Sequence, residues 1–355
     1  MLTFQLEKKV FHFVLPAGTS RGVLKHKLSW YVKVYCSKTS SFGLGECSVI
    51  EGLSPDYVSQ DDYENRISFI SYACSKFEID DLIWQFQNGF KDLTIEYFLQ
   101  DNPSIRFGFE IALFDLFNGG NRIYFENDFV KGKSKIPING LIWMGDEKFM
   151  KSQIIDKLKN DFTTLKMKVG AIDFNAELNL INFIRNESTS NSITIRVDAN
   201  GAFQESDVND KLKFLTDLDI HSIEQPIKPG NWKLMKKLCE QNLVPIALDE
   251  ELINVNSREN KMALLTEIKP AYIILKPSLH GGIRGTKEWI LLAEELGISW
   301  WITSALESNV GLSALCQFVA TFDIHLPQGL GTGSLFTNNS ESNLHVEKGY
   351  IMNRV

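Results

Sequence analysis

Two rhythms of apolar and polar positions divide the chain. Near its start, polar and apolar residues alternate across Thr3–Leu15 and again across Trp30–Cys36, a period of two that predicts half-buried antiparallel strands. Gly43, Gly45 and Gly52 come next and are expected to mark turns. A helix-rich stretch follows. In Ser104–Phe117, the residues Phe107, Ile111, Phe114 and Leu116 predict a helix with one apolar face. Strands first and helices afterwards predict a compact α+β unit.

From about Ile136 short apolar runs alternate with amphipathic helical segments. The runs are Ile136–Ile142, Thr164–Val169, Ile193–Asp198, Ile220–Gln225, Val244–Asp249, Ala271–Lys276, Ile298–Thr303 and Phe322–Leu326. Eight short β/α repeats are what a closed parallel barrel needs. No GxGxxG or GxxxxGK[ST] loop follows the early strands, which counts against a nucleotide-binding sheet. The expected class is α/β, a TIM-type (β/α) barrel preceded by the α+β unit.

Composition narrows the function more than the fold. A chain of 355 residues, 44% hydrophobic and 23% charged, has the make-up of a soluble globular protein with room for two domains. A net charge of −7 argues against nucleic acid or an anionic membrane as partner. No run approaches the roughly 20 apolar residues of a membrane helix, and Met1–Leu15 lacks the unbroken apolar core of a signal peptide. Cys36, Cys47, Cys74, Cys239 and Cys316 are scattered and form no CxxC pair, so neither a disulfide framework nor a zinc site is favoured. A cytoplasmic location is the expectation.

The chemistry emerges at the strand ends, because catalytic groups of a barrel project from the C-terminal mouth. Three consecutive runs end in Asp198, Glu224 and Asp249, spaced by 26 and 25 residues. Three carboxylates at one level would repel strongly, and a hard divalent cation, Mg2+ or Mn2+, resolves the conflict. Asn200 follows the first of them, and Glu250 and Glu251 the last. Lys166 and Lys168 share one side of their strand, and Lys276 ends a strand across the barrel. A metal and neighbouring lysines can lower an ammonium pKa until the amine serves as a general base. Taken singly, each acid could be a helix cap and each lysine a surface charge; their common register favours a site.

Lys166-Met167-Lys168, Asp198-Ala199-Asn200, Glu224-Gln225-Pro226, Asp249-Glu250 and Lys276-Pro277 resemble, in order and spacing, the enolase superfamily. The likeness is to its muconate-lactonizing-enzyme subgroup, and within it to the o-succinylbenzoate synthase family. The second likeness rests on Gly45-Glu46, Gly52-Leu53-Ser54-Pro55, Ile138–Ile142, Ser304-Ala305-Leu306-Glu307-Ser308 and Gly329–Gly333. The resemblance implies a modified barrel over residues 129–334 under an α+β capping domain of residues 1–128 with the tail 335–355. It implies Mg2+ on Asp198, Glu224 and Asp249, with catalysis by Lys168, Lys276 and Lys166. The implied substrate is a small hydroxylated cyclohexadiene dicarboxylate, dehydrated in menaquinone biosynthesis. Asn200, Ser304, Gly331, Thr332 and Arg21 are candidate substrate contacts, Arg21 in a loop that could close over the mouth. Trp143 and Met144 are candidates to line the pocket. His280 is expected to be an ordinary loop residue. N-acylamino acid racemase or dipeptide epimerase activity stays open as a second reading, and a non-catalytic barrel as a third. Leu326-Pro327-Gln328-Gly329 carries no acid where dipeptide epimerases show Asp-x-Asp, which disfavours a cationic substrate.

Overall fold

The structure, a computed structural model, describes residues 1–354 except 20–21, 39 and 189–191. The N-terminal unit opens with an antiparallel sheet of β1 (Leu2–Thr19), β2 (Gly22–Cys36) and β3 (Phe42–Ser48). Helices α1 (Gln60–Cys74), α2 (Ile79–Asn88), α3 (Leu93–Asp101) and α4 (Pro103–Phe117) follow. The α+β order expected of this region is therefore present. Gly43 and Gly45, expected to mark turns, instead lie inside β3. Their role is close approach: a Cβ on Gly45 would stand 1.9 Å from the carbonyl oxygen of Gly108, and one on Gly43 1.9 Å from that of Ala112. Both carbonyls belong to α4, so the glycines seat that helix directly on the sheet. The expected single apolar face of α4 is also corrected. All its residues but the last are buried, because β3 covers one side and a barrel helix the other.

The second unit begins with two short strands, β4 (Lys135–Pro137) and β5 (Gly140–Ile142). One run was expected across them. Pro137 offers no N–H to carry a ladder onward, and β4 pairs instead with the hairpin of β12 (Leu344–Glu347) and β13 (Tyr350–Asn353). The ring proper continues through β6 (Thr164–Lys168), β7 (Thr194–Asp198), β8 (Ser222–Glu224), β9 (Ile246–Leu248), β10 (Tyr272–Leu275) and β11 (Ser299–Ile302). These lie side by side and parallel in chain order from β5 to β11. The helices between and after them are α5 (Glu147–Lys159), α6 (Phe174–Glu187), α7 (Val208–Thr216), α8 (Trp232–Gln241), α9 (Arg258–Ile268), α10 (Gly282–Glu295) and α11 (Asn309–Val319).

The eighth predicted strand, Phe322–Leu326, is not a strand. Phe322 instead packs edge-on against Trp300 and Phe318 outside the ring. Closure falls to the next residues, where Gln328 bridges Ile138 and Gly329 bridges Thr303. The Gln328 side chain strengthens this seam, its Oε1 accepting from Ile302 N at 2.7 Å. The fold is thus a modified TIM-type barrel with a separate antiparallel sheet. No helix among the described residues is long and apolar enough to cross a membrane.

Candidate active site

Alternation along the ring strands fixes which side chains face its interior. Lys166 and Lys168 on β6 pair in register with Arg196 and Asp198 on β7, and Asp198 pairs with Glu224 on β8. Asp249 does not lie at that level, as the sequence suggested. Glu224 is in register with Ala247, so Asp249 stands two residues further along, the stagger that ring closure imposes on neighbouring strands.

All six charged groups are 11% exposed or less. Lys166 Nζ lies 3.0 Å from Asp198 Oδ2 and also contacts Glu224 Oε2. Lys168 Nζ donates to the same Asp198 oxygen at 2.9 Å and to Asn200 Oδ1 at 2.6 Å. Lys276 Nζ donates to Asp249 Oδ2 and stands 3.9 Å from Glu224 Oε1. Burial alone would lower the pKa of Lys166 and of Lys276. The acids overcome it, Asp198 and Glu224 raising the pKa of Lys166 and Asp249 and Glu224 that of Lys276. Without a metal the carboxylates thus hold these two ammonium groups charged, opposite to the lowering expected with one bound. Asp198 and Asp249 are held below the ordinary carboxylate range against the effect of burial, by the lysines and, for Asp249, His280 as well. Glu224 goes the other way: burial, with the charge of Asp198, pushes it up to about 8.

Both oxygens of Glu224 and Oδ1 of Asp249 are buried without a well-formed hydrogen bond among the described residues, although lysines stand close by. No three His, Cys, Asp or Glu side chains there stand gathered as a closed ligand set, because each of these acids is drawn onto a lysine instead. Under-satisfied, oxygen-only donors on adjacent strand ends fit a hard divalent cation, which would bring them together.

Beside these groups lies a cavity of about 140 Å³. Lys166, Lys168, Asp198, Asn200, Lys276, Ser304, Gly331 and Thr332 all line it, while Glu224 and Asp249 do not. Trp143 lines it too, but Met144 does not; its backbone pairs with Gly18 of β1. The N-terminal unit contributes Leu24, Ile50, Glu51 and Leu53. Arg21 lies outside the described residues. His280 lies in the turn between β10 and α10, a loop residue as expected, though a buried one. It is 3% exposed, burial pushes its pKa down to about 3, and its Nδ1 accepts from the backbone N–H of Lys276 at 3.0 Å.

Several residues escaped the sequence reading. Asn139 and Thr303 line the cavity, and Asn139 Oδ1, Thr303 Oγ1 and Thr332 Oγ1 are buried without a hydrogen-bond partner among the described residues. Neutral residues carry no signal in composition or spacing, so Asn139 was legible only within the Ile138–Ile142 motif and Thr303 only as the end of an apolar run. Gln225 was legible only as part of a motif. Its Oε1 accepts from the N–H groups of Asp249 and Glu251, both at 3.2 Å, which ties one acidic strand end to the next. Arg196, 1% exposed, lies below the acids with its guanidinium 3.9 Å over Trp301 and Nη1 donating to Pro327 O at 2.7 Å.

The profile of the family described as Enolase C-terminal domain-like matches residues 150–353. An o-succinylbenzoate synthase from Desulfotalea psychrophila is 42% identical over 96% of this chain and 95% of its own. The crystal structure of MenC from Desulfotalea psychrophila LSv54 superposes with a TM-score of 0.84 at 38% identity, covering 99% of both chains. An L-Ala-D/L-Glu epimerase from Bacillus subtilis is 26% identical over 67% of this chain and 66% of its own.

Proposed function

Because the chain belongs to the enolase superfamily, we propose that it is an o-succinylbenzoate synthase, a hydro-lyase acting in menaquinone biosynthesis. The reaction is the syn dehydration of 2-succinyl-6-hydroxy-2,4-cyclohexadiene-1-carboxylate to 2-succinylbenzoate. The observation that carries this reading is the placement of Lys168 and Lys276, from strand ends four places apart in the ring, on one cavity with Asp198. The synthase of Desulfotalea psychrophila, alike over nearly its whole length, supports the choice of substrate.

Asp198, Glu224 and Asp249 would hold Mg2+, with Mn2+ as a substitute. When bound, the cation would neutralise the substrate carboxylate and the charge that develops on it as the α-proton leaves. Lys168 takes that proton at Nζ and returns it to the departing hydroxyl on the same face, so one group serves both halves of a syn elimination. Its tether to Asn200 Oδ1 fixes the nitrogen at the cavity wall. Lys276, held charged, stabilises the enediolate from across the ring. Lys166 sits between Asp198 and Glu224 and meets the substrate carboxylate. Ser304, Gly331 and Thr332 would take the succinyl end by hydroxyl and backbone donors, with Arg21 a further candidate substrate contact from the N-terminal unit. Residues 1–128 with 335–355 would act as the cap and 129–334 as the catalytic barrel.

The test is loss of the diene absorbance of the cyclohexadiene substrate in the presence of Mg2+, with Lys168→Ala as control. Rapid metal-dependent loss that disappears in the variant supports the synthase. An inert wild type with metal demonstrably bound overturns it in favour of the racemase or epimerase reading, for which the same two lysines would exchange one α-proton.

A further inference from the structure

Two buried carboxylates at the junction of the N-terminal unit and the barrel belong neither to the metal site nor to the cavity. Glu46 and Glu110 are 0% and 1% exposed. Glu110, on α4, accepts from the backbone N–H of Ile283 and, at 3.3 Å, from that of Arg284. Both donors lie in the first turn of α10, whose own cap residue, Gly281, supplies no side-chain bond. Gly282 has φ +71°, and a Cβ there would stand 2.4 Å from Glu110 Oε2, so this close seating requires glycine. Glu46, on β3, accepts from the N–H groups of Ser308 and Gly311, each at 2.9 Å, and from Ser308 Oγ at 2.6 Å. These groups open α11. The free N–H groups of a helix start are ordinarily capped by a residue of the same segment. At α11 the segment's own Ser308 Oγ accepts from Val310 N at 3.3 Å and Glu46 adds to that cap from strand β3; at α10 helix α4 reaches across to do it.

Both helices so held directly follow loops bearing cavity residues. Between β10 and α10 the chain forms one closed hydrogen-bonded turn. Lys276 O accepts from Leu279 N at 2.7 Å and His280 N at 3.0 Å, and Pro277 O accepts from Gly282 N at 2.8 Å. The His280 ring holds the backbone N–H of Lys276 at the near end. Glu110 holds the far end at Ile283. Before α11, Glu307 accepts from Ser304 Oγ and from Ser278 Oγ, both at 2.6 Å. Glu307 immediately precedes Ser308, on which Glu46 is seated.

We propose that Glu110 and Glu46 are positioning residues for Lys276 and Ser304: the N-terminal unit sets the active-site loops from behind, through the starts of α10 and α11, besides covering the cavity. Displacements near 1 Å at a reacting centre can cost about 10²-fold in rate, so such remote anchors would be felt in catalysis. The inference rests on Lys276 and Ser304 being functional, as proposed above, but not on which reaction they serve.

Competitive amine labelling of the ligand-free protein, read residue by residue by mass spectrometry, tests it without a substrate. In Glu110→Gln the labelling rate of Lys276 relative to Lys168 should rise about fivefold as the turn loosens. Glu96→Gln is the control. It loses a buried carboxylate bonded to the Arg284 side chain in the same junction but none of the bonds to the backbone N–H groups that open α10, so its ratio should stay at the wild-type value. Turnover should separate the two glutamates, Glu110→Gln lowering kcat about tenfold with little change in KM, and Glu46→Gln raising KM. If Glu110→Gln does not fold, Glu110→Asp, which draws the carboxylate back by one methylene, is read the same way. A folded variant with an unchanged Lys276 to Lys168 ratio overturns the proposal. An inert wild type overturns the synthase reading alone, since the labelling ratio does not depend on it.

Discussion

Lys166 and Lys168 converge on a single atom, Asp198 Oδ2, at 3.0 and 2.9 Å, and diverge in everything else they touch. Lys166 turns to Glu224 among the acids, and Lys168 to Asn200 at the cavity. Their substitutions should therefore differ. Lys168→Ala is expected to lower kcat by about 10²–10⁴ while leaving divalent-metal affinity near wild type. Lys166→Ala should change both, because Asp198 and Glu224 each lose an ammonium contact among the acids. Turnover measured beside a Mn2+ titration distinguishes them; equal effects of the two substitutions on both readouts would refute the division.

Glu224 and Asp249 have buried oxygens without well-formed hydrogen bonds, as ligand atoms awaiting a cation would. Glu224→Gln and Asp249→Asn should each weaken Mn2+ binding by about 10²-fold or more, since even outer supporting groups of a metal site cost 10–100-fold. Electron paramagnetic resonance of free Mn2+ reads this directly. Unaltered affinity in either variant would remove that residue from the ligand set.

Gly45 tests the packing of the N-terminal unit. A Cβ there would lie 1.9 Å from Gly108 O and 3.0 Å from the Ala112 side chain, with backbone on both sides that cannot swing away. Gly45→Ala should cost about 1–3 kcal/mol or more, the range for overpacking a close-packed contact. Urea unfolding measures it, and a wild-type midpoint would show that α4 does not sit on β3 so closely.

Asp56 gives the protein a pH signature away from the site. Its carboxylate accepts from Ser104 N at 2.8 Å and Ser104 Oγ at 2.6 Å, yet burial outweighs these bonds and raises its pKa from 3.8 to about 6. Between those values the folded protein keeps a proton that the unfolded chain has released, so stability falls as pH rises through the window. The loss is complete above it and amounts to roughly 3 kcal/mol. Asp56→Asn should lack this component in unfolding free energies compared at pH 4 and pH 7. Identical pH responses in the two proteins would contradict the assignment.

The chemistry of this chain was easier to read than its joints. Asp198, Glu224, Asp249 and the paired lysines stood out because charged residues inside apolar strands are conspicuous, and alternation says which way they face. The eighth strand was misplaced because Phe322–Leu326 looks apolar enough for a ring strand, while closure is made by Gln328 and Gly329, which pair through backbone and amide groups that hydropathy does not register. Gly43 and Gly45 were misread for a related reason. Glycine signals both a turn and a close contact, and only the helix lying across them tells the two apart. Glu46 and Glu110 owe their roles to partners distant in sequence, which one chain read alone does not reveal.

The seam made by Gln328 and Gly329 has a bearing on how such a protein can change over generations. Lys166, Lys168, Asp198 and Glu224 stand on continuous parallel strands, where each neighbour constrains the next. Asn139, Thr303, Gly331 and Thr332 stand along the seam, where single bridges replace a ladder. Substitutions there can reshape what the cavity admits while the acid and lysine machinery stays in register. Selectivity would drift more readily than reaction type, and new substrates would be acquired from the loosely stitched side of the ring.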